Sequence, residues 1–328
     1  MTGFVLAEKK RKGGWLTLSR PQALNALNAQ MFIDVREALE LWAVDRQVEY
    51  IVLQGQGRGF CAGGDIRQFY EVITQNNERR VADILIYEFA LNQYIHTYPK
   101  PYISIINGLC MGGGMGVSVH GSHRVITENC IMAMPETAIG YYPDVGAGWF
   151  LNQCPGNIGM FLALTGYRLQ PLDALYAGLA THFVSASSLN DLRIQIQDCG
   201  AGELNEMLDH YKEWPEGVSY LKKHRSEIDM YFGSVDLHQL LKNLYEANTD
   251  FSVSTLEILK RMCPLSLRMT FNHIKSCKNK TIQEVIGADI DMVRFWQDDP
   301  ESLAEWCEGI RAAVMDKDQK PLWRSALT

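Results

Sequence analysis

The chain has 328 residues, 47% of them hydrophobic, and a formal net charge of −7. That is enough apolar material for a full core, as one large domain or as a main domain with an appendage. The longest basic run is "KKRK" at 9–12, which does not indicate a nucleic-acid surface, and no stretch reaches the ~18 apolar residues of a membrane span.

Eight Cys fall at 61, 110, 130, 154, 199, 263, 277 and 307, without a C-x-x-C pair or a zinc-like His spacing. Neither a metal nor a cofactor is expected. The opening "MTGFVLAEKKRKGGWL" has no apolar h-region and carries Glu8, where a transit peptide avoids acids. Scattered thiols without a signal peptide give the expectation of a reducing, cytoplasmic location.

In chain order, "GWLTLSR" alternates as a strand and "PQALNALN" leads into a helix. Met31, Val35, Ala38 and Trp42 fall at helical spacing. "EYIVLQGQG" is a buried strand running into glycines. "RRVADILIYEFALNQYIHTY" is an amphipathic helix that must stop by Tyr98, because Pro99 disfavours helical dihedrals before it. "PYISIING" is a second buried strand, followed by the glycines of "MGGGMG" and a short helix. "HRVIT" and "CIMAMP" are further strands.

This alternation predicts an α/β core over 1–190, and a mainly helical region over 191–328 that covers the active site or an interface. In the second region Leu237, Leu240, Leu241, Leu244 and Tyr245 make one helical stripe. "TIQE" at 281–284 fits a capping box. Asp299 followed by Pro300 fits a helix start.

Three segments carry candidate chemistry: "FCAGGD" at 60–65, "NGLCMGGGMG" at 107–116 and "PETAIGYYPDVG" at 135–146. Two glycine loops, each following a buried strand, can bring bare backbone N–H groups to one carbonyl oxygen. The same loops also suit tight turns or close packing. A dinucleotide fingerprint fails on spacing, since Val117 or Val119 stands where the third Gly belongs. "GLCMG" imitates a nucleophile elbow at Cys110, with Asp144 and His182 following in triad order, but five residues in a Gly-rich chain are weak evidence and a small buried Cys at a strand end reads the pattern better. Glu136 and Asp144 are either a working carboxylate pair or turn residues.

Together and in this order, the three segments resemble the crotonase (enoyl-CoA hydratase/isomerase) superfamily. The resemblance implies a spiral of ββα units with a helical C-terminal region, and an acyl-CoA substrate whose CoA is no separate cofactor. It makes Gly64 and Gly113 the oxyanion donors and places Ala62, Asp65 and Gly112 around the substrate. It also points to a homo-oligomer, a trimer or hexamer, unless the helical C-terminal part covers its own core instead; the charge pattern and the lack of a long apolar run leave neither nucleic acid nor membrane as an expected partner. One position departs from the hydratases: Gly116 stands where they carry a first catalytic Glu, while Glu136 matches the second.

"AMPETAIGYYPDVGAGWFL", "LALTGYRL", "AGLATHFV" and "EGIRAAVMDKDQKPLW" resemble the 3-hydroxyisobutyryl-CoA hydrolase branch. That branch cleaves a 3-hydroxyacyl thioester to the free acid and CoA, as in valine breakdown; hydration or isomerisation of an enoyl-CoA on the same fold, and acyl-CoA binding without catalysis, stay open as alternatives. The likeness makes Glu136 the nucleophile or general base, Asp144 the acid on the 3-hydroxyl or water, and Glu88 a further substrate contact. Without it, Glu88 reads as a solvated helix residue.

Overall fold

The computed structural model describes residues 3–75 and 77–326. The chain forms two compact units that interleave along the sequence. The first comprises residues up to Gly64, Ala90–Met132 and Arg168–Ser219; the second comprises Asp65–Phe89, Ala133–Tyr167 and the chain from Tyr220 onward.

The first unit is built on strands β1 (Val5–Lys10), β2 (Gly13–Leu18), β3 (Tyr50–Gly55), β5 (Tyr102–Ile106), β7 (His123–Ile126) and β9 (His182–Phe183), paired in that order. β1 and β2 are antiparallel, and the rest of the ladder is parallel. β4 (Gly59–Cys61), β6 (Leu109–Met111) and β8 (Ile131–Ala133) form a smaller sheet. β1 was not legible as a strand: "VLAEKK" shows solvent most of its side chains, as an edge strand held by backbone pairing can.

The helix Ala29–Val44 starts at Asn28, whose side chain accepts from the Met31 N–H at 3.0 Å, and it buries Met31, Val35, Ala38 and Trp42 as the spacing predicts.

A single cut near 190 is not where the chain changes units. The helices Leu189–Asp198 and Leu204–His210 turn Leu192, Ile196 and Leu208 onto Tyr50, Val52 and Ile103 of the main sheet. Their apolar stripes complete that core, so they belong to the first unit.

The second unit is mainly helical. Thr281 caps the helix Ile282–Asp298, and Glu284 reaches back to the Thr281 N–H at 2.8 Å. Asp299 accepts from the Ser302 N–H at 2.8 Å and opens the helix Pro300–Ile310. On the helix Leu237–Ala247 the stripe is narrower than expected: Leu237, Leu240 and Leu244 are buried, while Tyr245 is 79% exposed. Tyr245 lies at about 80° from Leu237 on a 100° wheel, beyond the edge of the core face.

The helix Pro300–Ile310 is pressed onto the turn after Glu136. A Cβ on Gly140 would stand 2.3 Å from the Glu305 carbonyl oxygen, and one on Gly309 would stand 2.2 Å from that of Ile139. Backbone meets backbone there, so this helix packs directly on the carboxylate segment.

Candidate active site

In the first unit the two glycine loops lie side by side. β4 and β6 pair in parallel with a register shift between Gly59 and Cys61, a distortion that re-aims the strand end. A Cβ on Gly63 would come within 3.5 Å of the Gly113 amide nitrogen. Gly112 has φ +48° and ψ −117°, a backbone reserved for glycine, and it turns the chain into the helix Gly113–Val119. Gly113 is the first residue of that helix, so its N–H has no acceptor within the helix. Gly64 bridges Leu27, and Ala62 donates its N–H to the Leu24 carbonyl at 2.9 Å. The close-packing role also holds, at Gly114, where a Cβ would meet the Cys61 carbonyl at 2.7 Å.

The carboxyls gather in the second unit. Glu136 opens a short 3-10 turn, Glu136–Ile139, and is 7% exposed; Asp144 is 6% exposed and Glu88 only 2%. Those values exclude solvated turn or helix-surface roles. Burial pushes the Glu136 carboxyl up to about 8. Burial, with the Glu136 charge added, takes Glu88 to about 8 as well. Burial and then the charges of Glu88, Glu136 and Asp289 raise Asp144 well above its ordinary range. Three acids in one dry place cannot all ionise, so they share protons as a set. Glu88 Oε1 and Glu136 Oε2 have no hydrogen-bond partner. Unpaired buried acceptors are costly and need a reason, and at clustered acids a catalytic role is one such reason.

A second pair holds the Asp144 turn. Asp289, wholly buried, accepts from the Gly146 N–H at 2.8 Å with one oxygen and meets His273 Nε2 at 2.8 Å with the other. Its backbone carbonyl accepts from the Tyr142 hydroxyl at 2.9 Å. Between Asp144 and Gly146, Val145 sits at φ +52°. A β-branched residue there is strained and needs its surroundings to hold it.

Asp65 caps the helix Ile66–Thr74, accepting from the Gln68 N–H at 3.3 Å.

A family model described as enoyl-CoA hydratase/isomerase matches residues 13–328. The chain belongs to the enoyl-CoA hydratase/isomerase family. Among curated relatives, the Danio rerio protein named "3-hydroxyisobutyryl-CoA hydrolase, mitochondrial" is 37% identical over 98% of this chain and 85% of its own length. The Homo sapiens protein of the same name is 36% identical over 98% of this chain and 84% of its own. Among solved structures, an enoyl-CoA hydratase from Rhodobacter sphaeroides is 34% identical with a TM-score of 0.87, over 98% of this chain and 92% of that one. A carnitinyl-CoA dehydratase from Mycobacterium thermoresistibile is 30% identical with a TM-score of 0.90, over 99% and 92%. The fold is thus the crotonase-like α/β fold, with the helical C-terminal region.

Within this family fold the Cys110 elbow finds no triad. Cys110 is buried with Ser118 Oγ 3.5 Å from its sulfur, and burial pushes its thiol up, away from the reactive thiolate. His182 is engaged instead by the Thr181 hydroxyl at 2.8 Å and Asp209 at 3.4 Å.

Sequence reasoning missed Asn92, Tyr141, His273 and Asp289. A signal existed for two of them. Asp289 interrupts the buried stripe Ile282, Val285, Ile286, Val293 and Trp296. Asn92, fully buried with neither amide atom paired, follows Glu88 by one helical turn on the stripe of Val81, Leu85 and Ile95.

Proposed function

We propose that this chain hydrolyses the thioester of a 3-hydroxyacyl-CoA, 3-hydroxyisobutyryl-CoA first among them, to the free acid and CoA. The observation that carries the reading is the buried set Glu88, Glu136 and Asp144, in a chain alike over 98% of its length to proteins bearing that hydrolase name.

Glu136 is the reacting carboxylate. In its ionised form it attacks the thioester carbon or takes a proton from the water that does. The N–H groups of Gly64 and Gly113 receive the carbonyl oxygen as it gains charge, a contact typically worth ~3–4 kcal/mol of barrier per donor. Asp144 accepts the substrate's 3-hydroxyl, and Glu88 lies against the substrate. Ala62, Asp65 and Gly112 belong to the substrate contacts on family resemblance alone, as does assembly into a trimer or hexamer.

A second reading is hydration of an enoyl-CoA, which the names of the two solved relatives favour. Gly116 leaves no carboxylate at the position of the first hydratase Glu, although Glu88 brings another acid to Glu136. Loss of the conjugated-enoyl absorbance without CoA release would select that reading.

Asp144→Asn tests the hydrolase reading. It is expected to lower kcat/KM for the 3-hydroxyacyl thioester by about 10²-fold or more and to change the unsubstituted acyl thioester far less, because a pocket built around a hydroxyl discriminates by leaving its own groups unpaired. Equal losses on both substrates would remove the hydroxyl-binding role.

The vertebrate relatives' names say mitochondrial, so they give the cytoplasmic expectation no support. The free cysteines, seven buried and Cys307 partly so, fit a reducing compartment of either kind. Among the described residues no helix is long and apolar enough to cross a membrane.

A further inference from the structure

Between Glu136 and Asp144 the chain carries two adjacent tyrosines with different fates. Tyr142 spends its hydroxyl hydrogen on the Asp289 carbonyl at 2.9 Å. Tyr141 is 3% exposed, and its hydroxyl, with the Tyr142 hydroxyl close by, has no partner within full hydrogen-bond distance. Its ring is not free to seek one. It stacks on Trp306 with centroids 4.4 Å apart and planes 18° apart, meets Trp296 edge-on at 5.3 Å, and lies against Tyr142 at 4.5 Å. A phenol clamped on three sides and left unpaired calls for a reason, and a ligand group arriving beside Asp144 supplies one.

The groups around that hydroxyl say what arrives. Burial first, then the charge of Asp144 and more weakly those of Asp289 and Glu88, keep the Tyr141 phenol in the protonated, donating form, outweighing the neighbouring Tyr142 hydroxyl, which pulls the other way. Asp289 is already committed to Gly146 and His273. Asp144 and Glu88 share protons with Glu136, and whichever of these carboxyls is ionised only accepts hydrogen bonds. A hydroxyl bound in a dry site needs more than an acceptor for its proton, because its oxygen lone pairs also lose water. It therefore needs a donor beside the acceptor.

We propose that the Tyr141 hydroxyl donates to the oxygen of the substrate's 3-hydroxyl while Asp144 accepts that hydroxyl's proton, so that the two residues read the group from both sides. This rests on the 3-hydroxyacyl-CoA reading above and adds a specificity-determining residue to it. The contact involves no bond change: Tyr141 O–H points to the substrate oxygen, and substrate O–H points to Asp144.

The test measures binding, so it does not depend on turnover. Glu136→Gln and the double variant Glu136→Gln with Tyr141→Phe are titrated by calorimetry with 3-hydroxyisobutyryl-CoA and with isobutyryl-CoA. Adding Tyr141→Phe is expected to weaken the hydroxylated ligand about 10-fold and leave the other unchanged. The melting temperature is expected to hold or rise, since the ring stack survives and a buried unpaired group is gone. Equal weakening of both ligands, or weakening of neither, overturns the proposal. If the wild-type protein releases no CoA yet the split in binding is found, the hydrolase reading fails and the hydroxyl readout stands. CoA release without the split fails the readout alone.

Discussion

Glu136→Gln is expected to lower CoA release by about 10³-fold or more, with acyl-CoA binding kept within a few-fold. The amide has nearly the shape of the acid, but it neither attacks a thioester nor takes a proton. The same variant is expected to be the more stable protein at pH 8. Glu136 is lifted from its ordinary 4.5 to about 8 by burial. A raised acid contributes stability that is fully present below about 4.5 and lost as pH rises through about 8. Above that, wild type carries a buried charge that costs on the order of a few kcal/mol, and the amide does not. Melting curves of the two proteins should therefore diverge between pH 5 and pH 8.5, with the variant above. The wild-type rate should climb over the upper part of that range as Glu136 ionises. A folded variant with near-normal turnover would remove Glu136 from the chemistry.

Asp289→Ala is expected to cost about 3–5 kcal/mol of stability, because it strands a buried cation and an N–H together. Burial alone would lower His273; its hydrogen bonds to Asp289 and then Cys277 prevail and raise it to about 10. A histidine raised above its ordinary 6.5 contributes stability that is fully present below about 6.5 and lost as pH rises through about 10. The deficit of Asp289→Ala, read from denaturant or thermal melts, should thus be greatest near neutral pH and shrink toward pH 10. Activity should fall with it even at temperatures where the variant is folded. Gly146 loses the acceptor that fixes it, and strained Val145 is then free to relax and carry Asp144 away. An Asp289→Ala protein with unchanged melting would mean that the pair holds nothing.

Much of the frame was legible because local rules and packing agree there. The Thr281–Glu284 box, the Asp299–Pro300 start and the Met31–Trp42 stripe each satisfy one rule that the tertiary structure does not override. β1 was hidden because an edge strand buries too little to show alternation. The candidate site was legible only where glycines and a Pro-Glu pair mark it. Glu88 and Asn92 are both polar on the stripe of Val81, Leu85 and Ile95, and a charged Glu there reads as surface until its 2% exposure is known. Tyr141 and Tyr142 are adjacent and chemically alike, and only their environments separate the scaffold hydroxyl from the unpaired one. His273 and Asp289 lie 16 residues apart on different helices, and no sequence period joins them.

Cleavage of a hydroxylated thioester is measured most directly as free CoA released from 3-hydroxyisobutyryl-CoA and from isobutyryl-CoA side by side, read by mass spectrometry so that the protein's own thiols are not counted. Rapid release from the hydroxylated substrate, with little from the other, is the predicted result. Release from neither, or equal release from both, would contradict it.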